Sequence, residues 1–162
     1  MSSRVGLGFD VHPFADDRRL VLGGVTLDGP GLAGHSDADV IAHAVADALL
    51  GAAGLPDLGT QFPADDDRYR GVSSIGLLRE VSEMVASAGW RVGNVDVVVA
   101  AERPLLGPHL PDMVSALEDA LAAVRPDVVT VKPKRAEGLG AIGRAEGIAA
   151  WAVALLISLD GS

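Results

Sequence analysis

Two stretches of the chain hold residues able to bind a metal ion. In residues 4–12, RVGLGFDVH, side chains alternate strictly: Val5, Leu7, Phe9 and Val11 share one face, and Arg4, Gly6, Gly8, Asp10 and His12 share the other. Asp10 and His12 stand two apart on the polar side of this half-buried strand, so both can reach one ion. In residues 35–59, HSDADVIAHAVADALLGAAGLPDLG, Asp39, His43 and Asp47 are spaced four apart. On a helix, successive members of such a series advance by only about 40°, which makes one polar stripe on a segment otherwise built of Val, Ile, Ala and Leu. The stripe is costly unless it coordinates or hydrogen-bonds something, although a solvated outer face reads equally well from the stripe alone. Asp10, His12 and His43 together offer three N/O ligands with a fourth position open, the pattern of catalytic zinc. Against this, a histidine taken singly is more often just hydrogen-bonded.

The chain that must position them has 162 residues, enough for one domain with a real core, and 1–162 is read as a single domain without repeats or linkers. Apolar residues make up 49% and aromatic residues 4%, so the core must be Ala, Val and Leu. The absence of cysteine excludes disulfides and thiolate metal sites. A net charge of −9 argues against nucleic acid as a partner. Lys132, Lys134, Arg135 and Arg144 nevertheless cluster, which suits a small anionic ligand as well as it suits a solvated loop. The N-terminus lacks a signal-like apolar run, and the apolar run 148–159 is too short to span a bilayer, so no membrane partner and a cytoplasmic location are expected.

Periodicity and punctuation predict strands at 4–12, ended by Pro13, and at 20–27, broken by the Gly-Pro-Gly at 29–31, with 15–19 an exposed loop. A helix capped by Asp37 or Ser36 runs to about residue 53 and stops at Gly54. Residues 60–74, with Asp65, Asp66 and Asp67 in a row, read as a surface loop. A second helix starts at Ser73 or Ser74 and ends before Gly89, and a third carries Met113, Leu117, Leu121 and Val124. Strands follow at 90–102 and 127–132, then a polar glycine-rich loop over 133–147, then a strand over 148–159 buried on both faces. This order predicts an α+β fold, a two-layer sandwich with helices on one face of a mixed sheet.

The runs GLGFDVHPF, LGGV and GHSDADVIAHAVADALLGAAGLPDLGTQFP, with VGNVDVVV, AERP and GLGAIGRAEGIAAWAVALL, resemble the 2-C-methyl-D-erythritol 2,4-cyclodiphosphate synthases across residues 4–159. The resemblance implies a homotrimer with active sites between neighbouring subunits, acting in the non-mevalonate isoprenoid pathway. The implied substrate is a cytidine diphosphate compound, 4-diphosphocytidyl-2-C-methyl-D-erythritol 2-phosphate. Its 2-phosphate attacks the β-phosphorus, CMP leaves and a cyclic diphosphate closes. On the family's pattern Asp10, His12 and His43 hold Zn²⁺ or another divalent metal, and Glu137 supports Mg²⁺ or Mn²⁺. His35 and Ser36 contact the attacking phosphate, and Asp57 and Gly59 hold the methylerythritol hydroxyls. Phe62, Asp66, Ala101, Pro104, Lys134 and Arg144 make further substrate contacts. An isoprenoid diphosphate is a possible occupant of the trimer's central channel.

The chain departs from that pattern in three places. Residues 131–137 read VKPKRAE where the family has a threonine run before its glutamate, so Arg135 replaces the threonine that stabilises the transition state. Leu105 replaces a lysine after Pro104, and Ala141 replaces an aromatic residue, while Arg144 and Glu146 are retained. Arg135, given a catalytic role here, compensates for the lost lysine if its planar fork takes phosphate oxygens. Other readings are a divergent paralogue acting on another nucleotide diphosphate and a non-catalytic trimer that binds an isoprenoid diphosphate. Intact metal ligands and Asp57 favour activity.

Overall fold

A computed structural model describes residues 2–122 and 127–159. The first strand, β1 (Ser3–Leu22), is much longer than its alternating segment. As far as Pro13 it pairs antiparallel with the last strand, β5 (Gly147–Ser158). From Phe14 onward it pairs with β2 (Val25–Leu32). Residues 15–19, expected to loop out, therefore belong to the strand, which takes up its charged run as a bulge between Ala15 and Leu20. The Gly-Pro-Gly at 29–31 does not end β2 either. β2 is an edge strand, and Pro30 sits opposite Arg19 at the bulge, where proline's missing N–H is tolerated.

The sheet has the order β2-β1-β5-β3-β4, adding β3 (Trp90–Ala100) and β4 (Val129–Lys134). Only β3 and β4 are parallel, so the sheet is mixed as expected. Pro133 does not cut β4, because it lies on the other edge of the sheet opposite Val99. The main helices, α1 (Val40–Ala53), α3 (Ser74–Ser87) and α4 (Leu110–Ala120), share one face of it. Short turns fill the loops: α2 (Leu58–Gln61), a 3₁₀ turn at Asp67–Tyr69, and α5 (Gly140–Gly143). Val124, assigned from its spacing to the third helix, lies outside the described residues. Among the described residues no helix is long and apolar enough to cross a membrane.

The inner face of β1 is the one expected to be outer. Gly6 and Gly8 are buried, whereas Val5 and Leu7 are each 68% exposed. The reason is α1. A Cβ on Gly6 would stand 1.9 Å from the Ala48 carbonyl oxygen, and one on Gly8 would stand 1.9 Å from that of Ala44. The helix thus lies backbone to backbone on the strand, its contact face made of the wholly buried Ala44, Ala48 and Ala52. Apart from Ala149, which is also buried, β5 is correspondingly buried on one face only: Ile148, Ala150, Ala152, Ala154 and Leu156 point inward, while Trp151 and Val153 are exposed.

Helix α1 begins later than expected. Its cap is Asp39, whose carboxylate accepts from the N–H groups of Ile41 and Ala42 and also from Gly23 and Gly24 in the β1–β2 turn. Asp37, one of the expected caps, is engaged elsewhere by Ser74. Gly54, at φ 77°, closes the helix in the left-handed conformation as anticipated. Gly8→Ala should force helix and strand apart. The expected loss is about 2–3 kcal/mol, or roughly 4–12 °C in Tm for a domain of this size, measurable by thermal unfolding of the metal-free protein.

Candidate metal centre

Asp10 and His12 follow Gly6 and Gly8 on the same inward face of β1, and His43 precedes Ala44 on α1. The contact that excludes side chains at the glycines therefore brings His43 over the strand where side chains resume. Asp10 Oδ2 lies 2.9 Å from His12 Nε2 and 3.0 Å from His43 Nδ1. The two imidazole nitrogens are 3.5 Å apart. Three ligands on a tetrahedral ion with bonds of 2.0–2.1 Å stand about 3.3–3.4 Å from one another, so these donors fit a divalent cation with shifts of a few tenths of an ångström. Among the described residues no other group of three His, Asp or Glu is so arranged. Asp39 and Asp47, which share the stripe with His43, serve otherwise: Asp39 is the cap, and Asp47 accepts from the Leu58 N–H at 2.8 Å.

Electrostatics ties the three together. Burial alone would push the Asp10 carboxyl up, but hydrogen bonds from His12 and His43, and their charge, outweigh it and hold the group far below the usual carboxylate range. His12 is pushed up from its ordinary value, first by its hydrogen bond to Asp10, with burial opposing. The far side of His43 is also anchored, since Nε2 lies 2.9 Å from Ser74 Oγ and 3.1 Å from Ser36 Oγ.

A cavity of about 260 Å³ opens beside the centre, lined on its polar side by Asp10, His12, His35, Ser36 and His43. Leu58, Gly59, Phe62, Tyr69 and Leu77 form most of the remaining wall. The loop carrying His35 and Ser36 is pinned from several directions. The Arg18 guanidinium donates to the Gly34 and Ser36 carbonyls, the Gly71 N–H donates to the His35 carbonyl at 2.8 Å, and His35 Nε2 meets the Asp66 carbonyl at 3.2 Å. Asp57 caps α2 by accepting from the Thr60 N–H at 2.8 Å and stands next to the cavity residue Gly59.

The remaining expected site residues gather elsewhere, past the ends of β3 and β4. The Ala101 N–H donates to the Lys134 carbonyl at 2.9 Å. Arg135 Nη2 is 2.6 Å from Glu102 Oε1, and the Ala136 N–H reaches the other oxygen of the same carboxylate at 3.2 Å. Arg135 and the AERP turn, two places concerned in the chain's departures, are therefore joined by an ion pair. Pro104 belongs to the same turn, and Glu137 adopts φ 54°, uncommon for a residue with a side chain. Val11 pairs with Ala149 and Ala149 with Ala100, so this group leaves the sheet level with the metal centre but two strands away, roughly 10 Å. Arg144 pairs with Glu146 at 2.6 Å in the turn before β5. Sequence reasoning missed Ser74, Asp37, Arg18 and Tyr69 as residues of the centre and its cavity. Nothing in their local spacing distinguishes them, and only the packing of α3 and β1 around the loop brings them in.

The fold and the centre together define an α+β protein with a candidate divalent-metal site. The chain belongs to the YgbB family, whose model matches residues 3–157. It is 58% identical to a bifunctional IspD/IspF enzyme of Anaeromyxobacter sp. over 94% of this chain and 39% of that protein. It is 49% identical to a 2-C-methyl-D-erythritol 2,4-cyclodiphosphate synthase of Nostoc sp. over 99% of this chain and 97% of the relative. A solved IspF–CDP complex from Plasmodium falciparum aligns with a TM-score of 0.84 at 31% identity, covering 97% of each chain. The chain spans about two fifths of the length of the bifunctional relatives it matches.

A divalent cation, with Zn²⁺ as the probe, should bind this centre one to one, and His43→Ala should abolish binding. Because the folded-state pKa of His12 is raised, a proton competes for its Nε2 from a higher pH than in a free imidazole. Affinity should therefore fall as pH drops through and below that raised value, by up to about tenfold per unit for each competing proton. Calorimetric titrations between pH 8 and 5.5 would show it, and a flat profile would contradict it.

Proposed function

We propose that the chain is a cyclodiphosphate synthase domain, residues 1–162, acting in the non-mevalonate isoprenoid pathway as a phosphorus–oxygen lyase. It converts 4-diphosphocytidyl-2-C-methyl-D-erythritol 2-phosphate to the 2,4-cyclodiphosphate and CMP. The observation that carries this reading is the Asp10–His12–His43 centre in the wall of a cavity also lined by His35, Ser36, Gly59 and Phe62. Kinship over nearly the whole length of a named synthase supports it, and with the ligands retained it disfavours both a paralogue of other specificity and a non-catalytic trimer.

In this reading one substrate oxygen displaces another at phosphorus: the 2-phosphate forms the new bond to the β-phosphorus, and the bond to CMP breaks. Nucleophile and electrophile belong to one molecule, so no protein nucleophile is required and the chain's task is to fold the substrate and supply charge. Asp10, His12 and His43 would hold Zn²⁺ and Glu137 would support Mg²⁺ or Mn²⁺, and such ions, when bound, would supply Lewis-acid polarisation and offset substrate charge. His35, fixed on the Asp66 carbonyl, and Ser36 orient the attacking phosphate. Asp57 and Gly59 hold hydroxyls, and Leu58, Phe62, Tyr69 and Leu77 exclude water. Ala101, Pro104, Lys134 and Arg135 serve the cytidine diphosphate end, with Arg135 shared between Glu102 and phosphate oxygens.

The exposed apolar row Val5, Leu7, Phe9 and Val11, continued by Trp151 and Val153, supports packing of three sheets face to face. That assembly brings the two groups of site residues together from neighbouring subunits. It also creates a channel, with Arg144 near its axis, that suits an isoprenoid diphosphate. A cytoplasmic location fits this chemistry.

Incubation of the purified protein with the cytidyl substrate should release CMP without consuming water, and failure to do so with Zn²⁺ and Mg²⁺ present would refute the reading. Arg135→Ala should lower the rate about 10²-fold, the size of one lost transition-state donor, and Arg135→Thr should not raise it. Light scattering should give about three times the 16.5 kDa chain mass, falling in Leu7→Glu.

A further inference from the structure

We propose that Ser74 and Asp37 are positioning residues of the metal centre, forming a hydroxyl–carboxylate chain that takes the outward N–H of His43 and holds its ring so that Nδ1 faces the ion. The proposal rests on the reading of Asp10, His12 and His43 as a divalent-metal site.

His43 presents Nδ1 to Asp10 and His12, so a metal there requires the ring's single proton on Nε2. That nitrogen is 2.9 Å from Ser74 Oγ. Ser74 has one hydroxyl proton, and its partner Asp37 Oδ1 can only accept, so the hydroxyl donates to Asp37 and keeps its lone pairs for His43 Nε2–H. Asp37 is itself fixed: Oδ2 accepts from the Ser74 N–H at 3.1 Å, and Oδ1 accepts from the Asp39 N–H at 3.2 Å. Each of the three hydrogen bonds to this carboxylate comes from a donor, so the direction of the chain is set from its far end.

Ser36 alone does not set that direction. Its oxygen, 3.1 Å from His43 Nε2, already accepts from the Ala38 N–H at 3.1 Å, and its proton can turn toward either His43 or Ser74. Nor is Ser74 explained by helix α3. The cap is Ser73, whose side chain accepts from the Gly76 N–H, and the Ser74 hydroxyl makes no helix bond. Ser74 is 1% exposed, so water is poorly placed to replace it. A buried hydroxyl that is idle for the helix, yet joins a carboxylate to the far nitrogen of a metal-binding imidazole, acts as an outer-shell orienting group.

The test is Zn²⁺ affinity by chelator competition at pH 7.5, with thermal unfolding of each metal-free protein as control. Ser74→Ala and Asp37→Asn should each weaken Zn²⁺ binding about 10–100-fold. Asp37→Asn matters because it keeps the shape but sets an amide donor against donors. Ser74→Thr, which keeps the hydroxyl, should bind within about threefold of the unsubstituted chain, a rescue that a purely structural role for the side chain would not give. Zn²⁺ binding by Ser74→Ala and Asp37→Asn within about threefold of the unsubstituted protein would overturn the proposal. If those variants do not fold, NMR of the Zn²⁺-loaded unsubstituted protein decides: the His43 Nε2 proton should exchange slowly, and exchange as fast as in free imidazole overturns the proposal. Failure of the unsubstituted protein to bind Zn²⁺ would remove the metal reading itself, an outcome distinct from binding that ignores both substitutions.

Discussion

The carbonyl oxygens of Ala44 and Ala48 occupy the space where Cβ atoms on Gly8 and Gly6 would stand, and the metal centre depends on that contact. Helix α1 runs antiparallel to β1, with Ala48 and Ala52 against Gly6, Ala44 and Ala48 against Gly8, and His43 against Asp10. Four helical residues rise about 6.0 Å and two strand residues about 6.6 Å, so the two periods stay nearly in step over three such units. Glycine on one side and alanine on the other bring the backbones close for two steps. At the third, side chains return on both elements, and they can only meet. The ligand distances of 2.9–3.5 Å follow from the closeness of the preceding contacts.

Such closeness requires that every polar group trapped by it has a partner. Asp39, wholly buried, receives four backbone N–H groups from two elements and thereby ties the β1–β2 turn to the start of α1. Asp37 receives three donors, and Asp47 receives the Leu58 N–H that begins α2. Three carboxylates within eleven residues thus hold a turn, a loop and a short helix around one imidazole. An unpartnered carboxylate at a buried position such as Asp39 would be strongly unfavourable.

Much of this was legible in the sequence, and the failures share a cause. Alternation marked β1, Gly54 marked the end of α1, Ser73 or Ser74 the start of α3, and spacing made Asp10, His12 and His43 a candidate set that the family resemblance then singled out. Alternation does not say which of two faces is inner. The row Val5, Leu7, Phe9 and Val11 looks like a core face, yet the helix sits on the glycine face because only glycine lets a backbone come so near. Pro30 and Pro133 read as strand breaks because edge position, which makes them harmless, is a property of the whole sheet. The Arg135–Glu102 pair is likewise invisible in sequence, since thirty-three residues separate its members.

The face that the glycines leave outward is apolar. Four large apolar residues of β1 and two of β5 lie side by side in the sheet, with the Phe9 and Trp151 rings 5.1 Å apart. Contiguous exposed apolar patches of this kind mark interaction surfaces. One strand thus addresses two partners by alternation: small residues and ligands inward to α1, large residues outward to another surface. The metal centre and the group around Arg135 lie level in the sheet but are separated by β5. In the trimer proposed above, a copy packed on the outward face would supply the other side of the site.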